Sequence, residues 1–290
     1  MRLQIIDCKA IADSLRSDLQ FRFNQFYEAY SRKPVMAVLM NRDASEAMSY
    51  MKSRRTAAAK LGAEIKEIEF QSGTGKEEIL AALNEVSHDS EVQGVMVSLP
   101  VPKSFSEVSF GSIIPPEKDV DCITPWNQGL IMQNREFVTP ATASAVIEVM
   151  ISRKIPEGSR IAIVNRSPII GRPLAMMLLN RHYSPAVCHT RTTSIKEVTR
   201  SSEVLVTAAG RARIIDESWV SGGQTVIDVG INSLEGKIVG DVNADSLRDK
   251  DITITPVPGG VGPITSLMLF RNLLTCANAI ESATEARDRT

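Results

Sequence analysis

Three groups of side chains in this 290-residue chain have types and spacings that could do chemistry. The first lies in Ser49-Tyr50-Met51-Lys52-Ser53-Arg54-Arg55, a helical stretch. Tyr50 and Arg54 stand at i and i+4 there, so a phenol and a cation share one face. The second is split between two short segments. Gly94-Val95-Met96-Val97-Ser98-Leu99 reads as a strand that ends in the hydroxyl of Ser98 and runs into the turn Pro100-Val101-Pro102, and Lys118-Asp119-Val120-Asp121 supplies two carboxylates two residues apart. Taken singly, each feature has a bland counterpart: a solvated helix face, a strand end, an acidic loop.

The third group reads as a nucleotide site. Arg160–Val164 is an apolar strand, followed by Asn165-Arg166-Ser167-Pro168-Ile169-Ile170-Gly171-Arg172-Pro173 and a helical run. A strand, a small-residue turn and a helix N-terminus can hold phosphate through backbone N–H groups and the helix dipole. The glycine fingerprint GxGxxG is absent, and an ordinary βα turn has the same outline. The next strand end, Val187-Cys188-His189-Thr190-Arg191-Thr192, lacks the acid with which NAD-binding folds read the ribose hydroxyl. It offers a hydroxyl and a cation instead, and with Arg166 these suit the extra phosphate of NADP. His189 has no evident partner and reads as structural. Ala208-Ala209-Gly210 and Asp228-Val229-Gly230-Ile231-Asn232 place small residues at the carboxyl ends of two more strands, where open sheets bind ligands. Thr255–Thr265 (TPVPGGVGPIT) is uncharged, with three prolines and three glycines. That composition makes a shaped loop whose bare backbone can approach a flat ligand, although a tight strand-to-helix turn would read the same.

The elements that must position these groups alternate between short apolar runs and helix-like segments. Strands are expected at 35–40, 64–70, 94–99, 160–164, 186–188, 204–207, 225–229 and 252–254. Helices are expected at 8–30, 44–61, 76–86, 141–152, 172–180, 194–200 and 263–282. Such βαβ alternation implies an α/β fold: two parallel-sheet domains with a cleft between them, the second Rossmann-like. The expected division is 1–140 plus 264–290 for one domain and 141–263 for the other, with a charged, fraying end at 281–290. A formal net charge of −1 argues against nucleic acid as a partner. No apolar run is long enough for a membrane, and Met1–Leu15, with Arg2, Asp7, Lys9 and Asp13, does not read as a signal peptide. Four cysteines far apart, without a CxxC pair, read as a reduced, cytoplasmic chain, and the three histidines have no metal-ligand spacing.

Taken together, the Tyr50 helix, VSLPVP at 97–102, KDVD at 118–121, PAT at 140–142, NRSPIIGRP at 165–173, CHTRT at 188–192, DVGIN at 228–232 and TPVPGGVGPIT at 255–265 resemble one family over nearly the whole chain. It is the bifunctional methylenetetrahydrofolate dehydrogenase/methenyltetrahydrofolate cyclohydrolase family. The resemblance implies an NADP-dependent oxidoreductase of one-carbon metabolism acting on tetrahydrofolate derivatives, and a homodimer. It implies that Tyr50 lies at the reacting pterin ring and that Asp121 accepts from the pterin's amide and amino edge. Leu99, Pro100, Pro258 and Gly259 would wall the ring. Asn165, Arg166, Ser167, Thr190 and Arg191 would hold the adenosine phosphate end, with Gly210 and Ile231 beside the cofactor.

The chain departs from the family pattern at four places. Arg54 stands where the pattern has lysine, Ser98 where it has glutamine, Asn165 where it has glycine before the arginine, and Cys122 where it has glycine after the KDVD acid. The first two bear on hydrolysis of the methenyl group, in which protons must move. A lysine can be tuned to move them, whereas an arginine stays protonated. The expectation is a dehydrogenase with weak or absent cyclohydrolase activity. Its alternatives are an inert folate- or NADP-binding paralogue, an enzyme acting on another pterin carrier, and a fully bifunctional enzyme in which Arg54 or Lys52 replaces the usual lysine. Lys52 sits two residues from Arg54, about 200° around the helix.

Overall fold

The computed structural model describes residues 3–98, 101 and 110–288. In chain order its elements are β1 (Gln4–Ile5), α1 (Cys8–Tyr30), β2 (Val35–Asn41), α2 (Ser45–Leu61), β3 (Glu64–Phe70), α3 (Lys76–His88), β4 (Gly94–Val97), α4 (Pro125–Met132), α5 (Ala141–Ser152), β5 (Arg160–Val164), α6 (Gly171–Leu179), β6 (Ser184–Cys188), α7 (Ile195–Arg200), β7 (Val204–Thr207), β8 (Thr225–Asp228), β9 (Asn232–Leu234), β10 (Lys237–Val239), β11 (Thr253–Ile254) and α8 (Val261–Asp288). The chain divides into two compact units, one of Met1–Ser14 with Thr142–Thr265, the other of Leu15–Ala141 with Ser266–Thr290.

The second of these units holds a three-stranded parallel sheet in the order β3-β2-β4. The run VMAVLM is apolar without alternation because β2 is central and covered on both faces. Helix α3 presents Ile79, Leu83 and Val86 at helical spacing to the core formed with Leu39, Val95 and Val97. Fully burying a side chain such as Leu83 contributes about 1.5–3 kcal/mol. Helix α2 stops at Gly62, whose φ of +86° and N–H bond to the Ala58 carbonyl make a left-handed cap. Helix α4 begins with Thr124 accepting from the Asn127 N–H and Pro125 in the first turn.

The first unit is built on a six-stranded parallel sheet in the order β1-β11-β8-β7-β5-β6. The chain leaves β5 for β6 on one side and returns to β7 on the other, so the connections reverse direction at β5. A short antiparallel hairpin of β9 and β10 follows β8.

The chain's first fourteen residues fall with this second sheet, whereas the sequence reads 1–140 as one piece. The cause is a long-range strand pairing: β1 pairs with β11, and Gln4 N and Ile6 N donate to the carbonyls of Ile252 and Ile254, both at 2.8 Å. The C-terminal helix also runs further than expected, through Asp288, and Glu281 accepts an ion pair from Arg32.

Candidate active site

In the unit carrying β2, β3 and β4, the structure brings two of the altered positions together. Ser98 follows β4 directly, donates its backbone N–H to the Leu39 carbonyl at 2.8 Å and is only 3% exposed. Arg54, half-buried on α2, donates from Nη1 to Ser98 Oγ at 3.4 Å. Tyr50 lies one turn earlier on the same helix. Leu99 and Pro100 lie outside the described residues. Helix α2 is continuous past Lys52, which is exposed, and the Lys52 carbonyl accepts from Thr56 Oγ1 one turn on. Arg55 grips the Glu67 carboxylate on β3 through Nε and Nη2, and that bond holds Glu67 below the usual carboxylate range.

The four residues 118–121 separate into a buried scaffold and a half-buried carboxylate. Lys118 Nζ donates to the Asp89 carbonyl at 2.7 Å, and burial lowers the lysine's pKa. Asp119 is 0% exposed; its carboxylate accepts from Ile123 N (3.0 Å), Thr124 N (2.9 Å) and Asn127 Nδ2 (3.0 Å). Asn272 of α8 donates to the carbonyls of Val120 (2.8 Å) and Thr139 (2.7 Å), fixing the segment from the other side. Asp121 emerges from this framework half-buried. Cys122 takes a φ of +56°, which explains why the family pattern prefers glycine here. Its thiol donates to the Val138 carbonyl at 3.4 Å, and burial followed by the nearby carboxylates pushes its pKa up.

In the other unit, the turn after β5 is organised by Asn165. Its Oδ1 accepts from Ser167 N (2.8 Å) and Gly171 N (3.0 Å), and its Nδ2 donates to the Ala208 carbonyl (2.7 Å). Arg166 beside it is exposed. After β6, His189 has a partner the sequence did not suggest: its Nδ1 accepts from Arg191 N at 3.1 Å. Thr192 Oγ1 accepts from His189 N at 2.9 Å, closing a turn that leaves Thr190 and Arg191 exposed. Gly210 follows β7 with a φ of +65°, and Ile231 follows β8 at 53% exposure. In the proline loop the Val257–Pro258 peptide is cis and Gly259 has a φ of +89°, open only to glycine without strain.

Two carboxylates that sequence reasoning passed over tie these loops together. Buried Asp241 accepts from Thr207 Oγ1 (3.1 Å), Ala209 N (2.5 Å), Arg211 N (3.1 Å) and Asn232 Nδ2 (3.0 Å). Asp228 accepts from Gly230 N (2.9 Å), Asp241 N (3.1 Å) and Val242 N (2.9 Å), and burial pushes its pKa up to about 6. The sequence signal was faint: an acid beside Gly240, and partners some thirty residues away in the chain. The donor set at the carboxyl ends of β5 and β6 fits a phosphorylated dinucleotide, since Arg166, Thr190 and Arg191 are exposed there and the β6 end carries no acid. Among the described residues no cluster of His, Cys, Asp or Glu could hold a metal ion. Nor is any described helix long and apolar enough to cross a membrane.

Comparison with known proteins places both units in one family. The model described as tetrahydrofolate dehydrogenase/cyclohydrolase, catalytic domain, matches residues 6–121, and the one described as the NAD(P)-binding domain of the same family matches residues 140–281. The bifunctional protein FolD of Thermoplasma volcanium is 36% identical over 277 residues, covering 96% of this chain and 96% of its own. Among solved structures, the bifunctional 5,10-methylenetetrahydrofolate dehydrogenase/cyclohydrolase of Thermoplasma acidophilum is similar with a TM-score of 0.89 at 36% identity, over 96% of this chain and 100% of that one. The Trypanosoma brucei dehydrogenase-cyclohydrolase, solved with NADP cofactor and inhibitor, is similar with a TM-score of 0.90 at 30% identity, over 96% and 98%. The chain therefore belongs to the tetrahydrofolate dehydrogenase/cyclohydrolase family, with a catalytic domain followed by an NAD(P)-binding domain.

Proposed function

We propose that this protein is an NADP-dependent methylenetetrahydrofolate dehydrogenase in which the cyclohydrolase half of the family's activity is weak or absent. The observation that carries the proposal is the Arg54 guanidinium against the Ser98 hydroxyl at 3.4 Å, in the family's catalytic domain. The hydride leaving the methylene carbon of the folate would be taken up by NADP, the chemistry that cofactor would supply at this site. The chain's own contribution to that step is alignment. On the family resemblance, Tyr50 would lie at the pterin, Asp121 would accept from its amide and amino edge, and Leu99, Pro100, Pro258 and Gly259 would wall it. Arg166, Ser167, Thr190 and Arg191 would hold the adenosine phosphate end, beside Asn165, Gly210 and Ile231. None of these side chains has to gain or lose a proton for hydride transfer.

Hydrolysis makes a different demand. Water adds to the methenyl carbon and its protons must leave before the ring opens. Arg54 supplies positive charge and N–H donors, but a guanidinium does not act as a base. Ser98 is too short to stand in for a glutamine amide without a bridging water. Losing acid–base assistance costs about two to four orders of magnitude in rate.

The test is a paired assay: reduction of NADP by methylenetetrahydrofolate, and disappearance of methenyltetrahydrofolate followed separately. Dehydrogenase turnover with hydrolysis slower by about a hundredfold or more is expected. Arg54→Lys combined with Ser98→Gln should raise hydrolysis while changing hydride transfer less. Comparable turnovers in the unaltered protein would establish the fully bifunctional enzyme instead, and binding without reduction of NADP the inert paralogue. The family resemblance also supports a homodimer as the assembly.

A further inference from the structure

The side chain of Asn165 sits where an open sheet of this topology takes its ligand. The connections reverse at β5, so the crevice between the carboxyl ends of β5 and β7 is the switch point. Asn165 follows β5 and Ala208 follows β7, and the carboxamide spans the two through its Nδ2 bond to the Ala208 carbonyl at 2.7 Å. Its Oδ1 meanwhile takes the N–H groups of Ser167 and Gly171. The remaining donors at the start of α6 are also engaged inside the turn: Ile170 N donates to Ser167 Oγ at 3.1 Å and Arg172 N to the Ser167 carbonyl at 3.1 Å. Pro173 has no N–H to offer. A helix N-terminus of this kind usually presents such groups to a pyrophosphate. Here the carboxamide oxygen stands in the anion's place.

We propose that Asn165 is a specificity-determining residue that sets a preference for the dinucleotide carrying a ribose 2′-phosphate. The argument rests on the NADP reading above and concerns which part of the cofactor is recognised. The pyrophosphate is common to NAD and NADP, and Asn165 withdraws two of the backbone donors that would bind it. The 2′-phosphate is unique to NADP, and Asn165 fixes the turn that carries the side chains suited to it, Arg166 and Ser167. Ser167 Oγ accepts from Ile170 N, which leaves its O–H to donate. The first effect lowers the affinity for both dinucleotides alike, so the preference rests on the second, the fixed placing of Arg166 and Ser167. The close fit of the turn supports a fixed geometry, since a Cβ placed on Gly171 would lie 2.0 Å from the Asn165 carbonyl oxygen and 2.8 Å from its Oδ1.

The experiment measures binding rather than turnover. NADP, NAD and adenosine 2′,5′-bisphosphate are titrated calorimetrically into the unaltered protein, Asn165→Ala and Asn165→Gly. The alanine variant keeps the Cβ and so separates loss of the carboxamide from added backbone freedom. The NADP-to-NAD affinity ratio should fall about tenfold in both variants, the worth of one well-placed hydrogen bond. Adenosine 2′,5′-bisphosphate should weaken alongside NADP. A ratio unchanged within twofold overturns the inference while leaving the cofactor reading intact, whereas an unaltered protein that prefers NAD overturns the cofactor reading itself. Should the variants fail to fold, hydrogen exchange of the unaltered protein decides. The Ser167 and Gly171 amides should be protected before any nucleotide is added and gain nothing from saturating NAD. Fast exchange that slows only when NAD binds would show the donors to be free for the pyrophosphate, and would overturn the inference.

Discussion

Replacing Asp119 by alanine strips the acceptor from three donors at once: the N–H groups of Ile123 and Thr124 and the side-chain amide of Asn127. The site is fully buried, so water cannot readily take the carboxylate's place. Orphaned buried donors cost about 1–3 kcal/mol each, so Asp119→Ala should lose on the order of 3 kcal/mol or more, read as a lowered urea midpoint. Asp121, two residues on and half-buried, is expected to behave differently. Asp121→Asn keeps the size and removes the charge that would accept two parallel pterin donors. Its unfolding free energy should change by less than about 1 kcal/mol, while the Kd for a folate ligand rises about tenfold or more, the cost of losing a charged acceptor. An Asp121→Asn protein that unfolds as readily as Asp119→Ala would show both carboxylates to be scaffold.

At the scale of elements, β4 is held so close to its neighbours that only glycine fits at its first residue. A Cβ on Gly94 would come within 2.4 Å of Val120 Cγ1 and 2.7 Å of Leu273 Cδ1. Gly94→Ala must therefore push the segment that carries Asp121 or shift α8. Overpacking of this kind costs about 1–3 kcal/mol. The expected outcome is a lower melting temperature together with weakened folate binding, because the same displacement moves Asp121. Lost stability with unchanged folate affinity would separate the strand from the site. This close approach also shows what the sequence leaves unsaid. The apolar runs of β2, β5 and β7 and the periodicity of α1 and α3 are local signals, and they were legible. Helix α4 was not, because Pro125 and Gly129 break its pattern and its start depends on the Thr124 cap. Strand β1 has two residues and exists only through β11, some 250 positions away. The β9–β10 hairpin turns on Glu235 and Gly236, both at positive φ, without the Asn-Gly signature that would have announced it. The site divides in the same way. Asn165 and Arg54 were visible as departures from a pattern, but the bonds that give them meaning reach Ala208 and Ser98, 43 and 44 residues along the chain.

For the whole molecule, the balance of buried and surface carboxylates sets how stability depends on pH. An ordinary aspartate titrates near 3.8, and burial lifts Asp228 to about 6 against the opposing pull of its N–H donors from Val242, Asp241 and Gly230. A raised folded value means that the folded protein holds a proton which the unfolded chain has released. That contribution to stability is full below about pH 3.8 and drains away as pH rises through 6. A shift of roughly two units corresponds to on the order of 3 kcal/mol at most. Glu203, held at about 2 chiefly by its hydrogen bond to Arg160, works in the opposite direction, as do Glu67, Asp89 and Asp216, all lowered. Their contributions are complete only above about pH 5 and fade in acid, and each is small because the pairs lie near the surface. Stability should therefore peak on the mildly acid side and decline from pH 5 toward pH 8. Calorimetric melts across that range, with proton uptake measured from the dependence on buffer ionisation enthalpy, test the expectation. Asp228 should take up about one proton on folding near pH 5 and almost none at pH 8, offset at pH 5 by a smaller release from the lowered carboxylates. Melting temperatures that rise steadily from pH 5 to pH 8 would mean that the three N–H donors outweigh burial and that Asp228 folds as an ordinary ionised carboxylate.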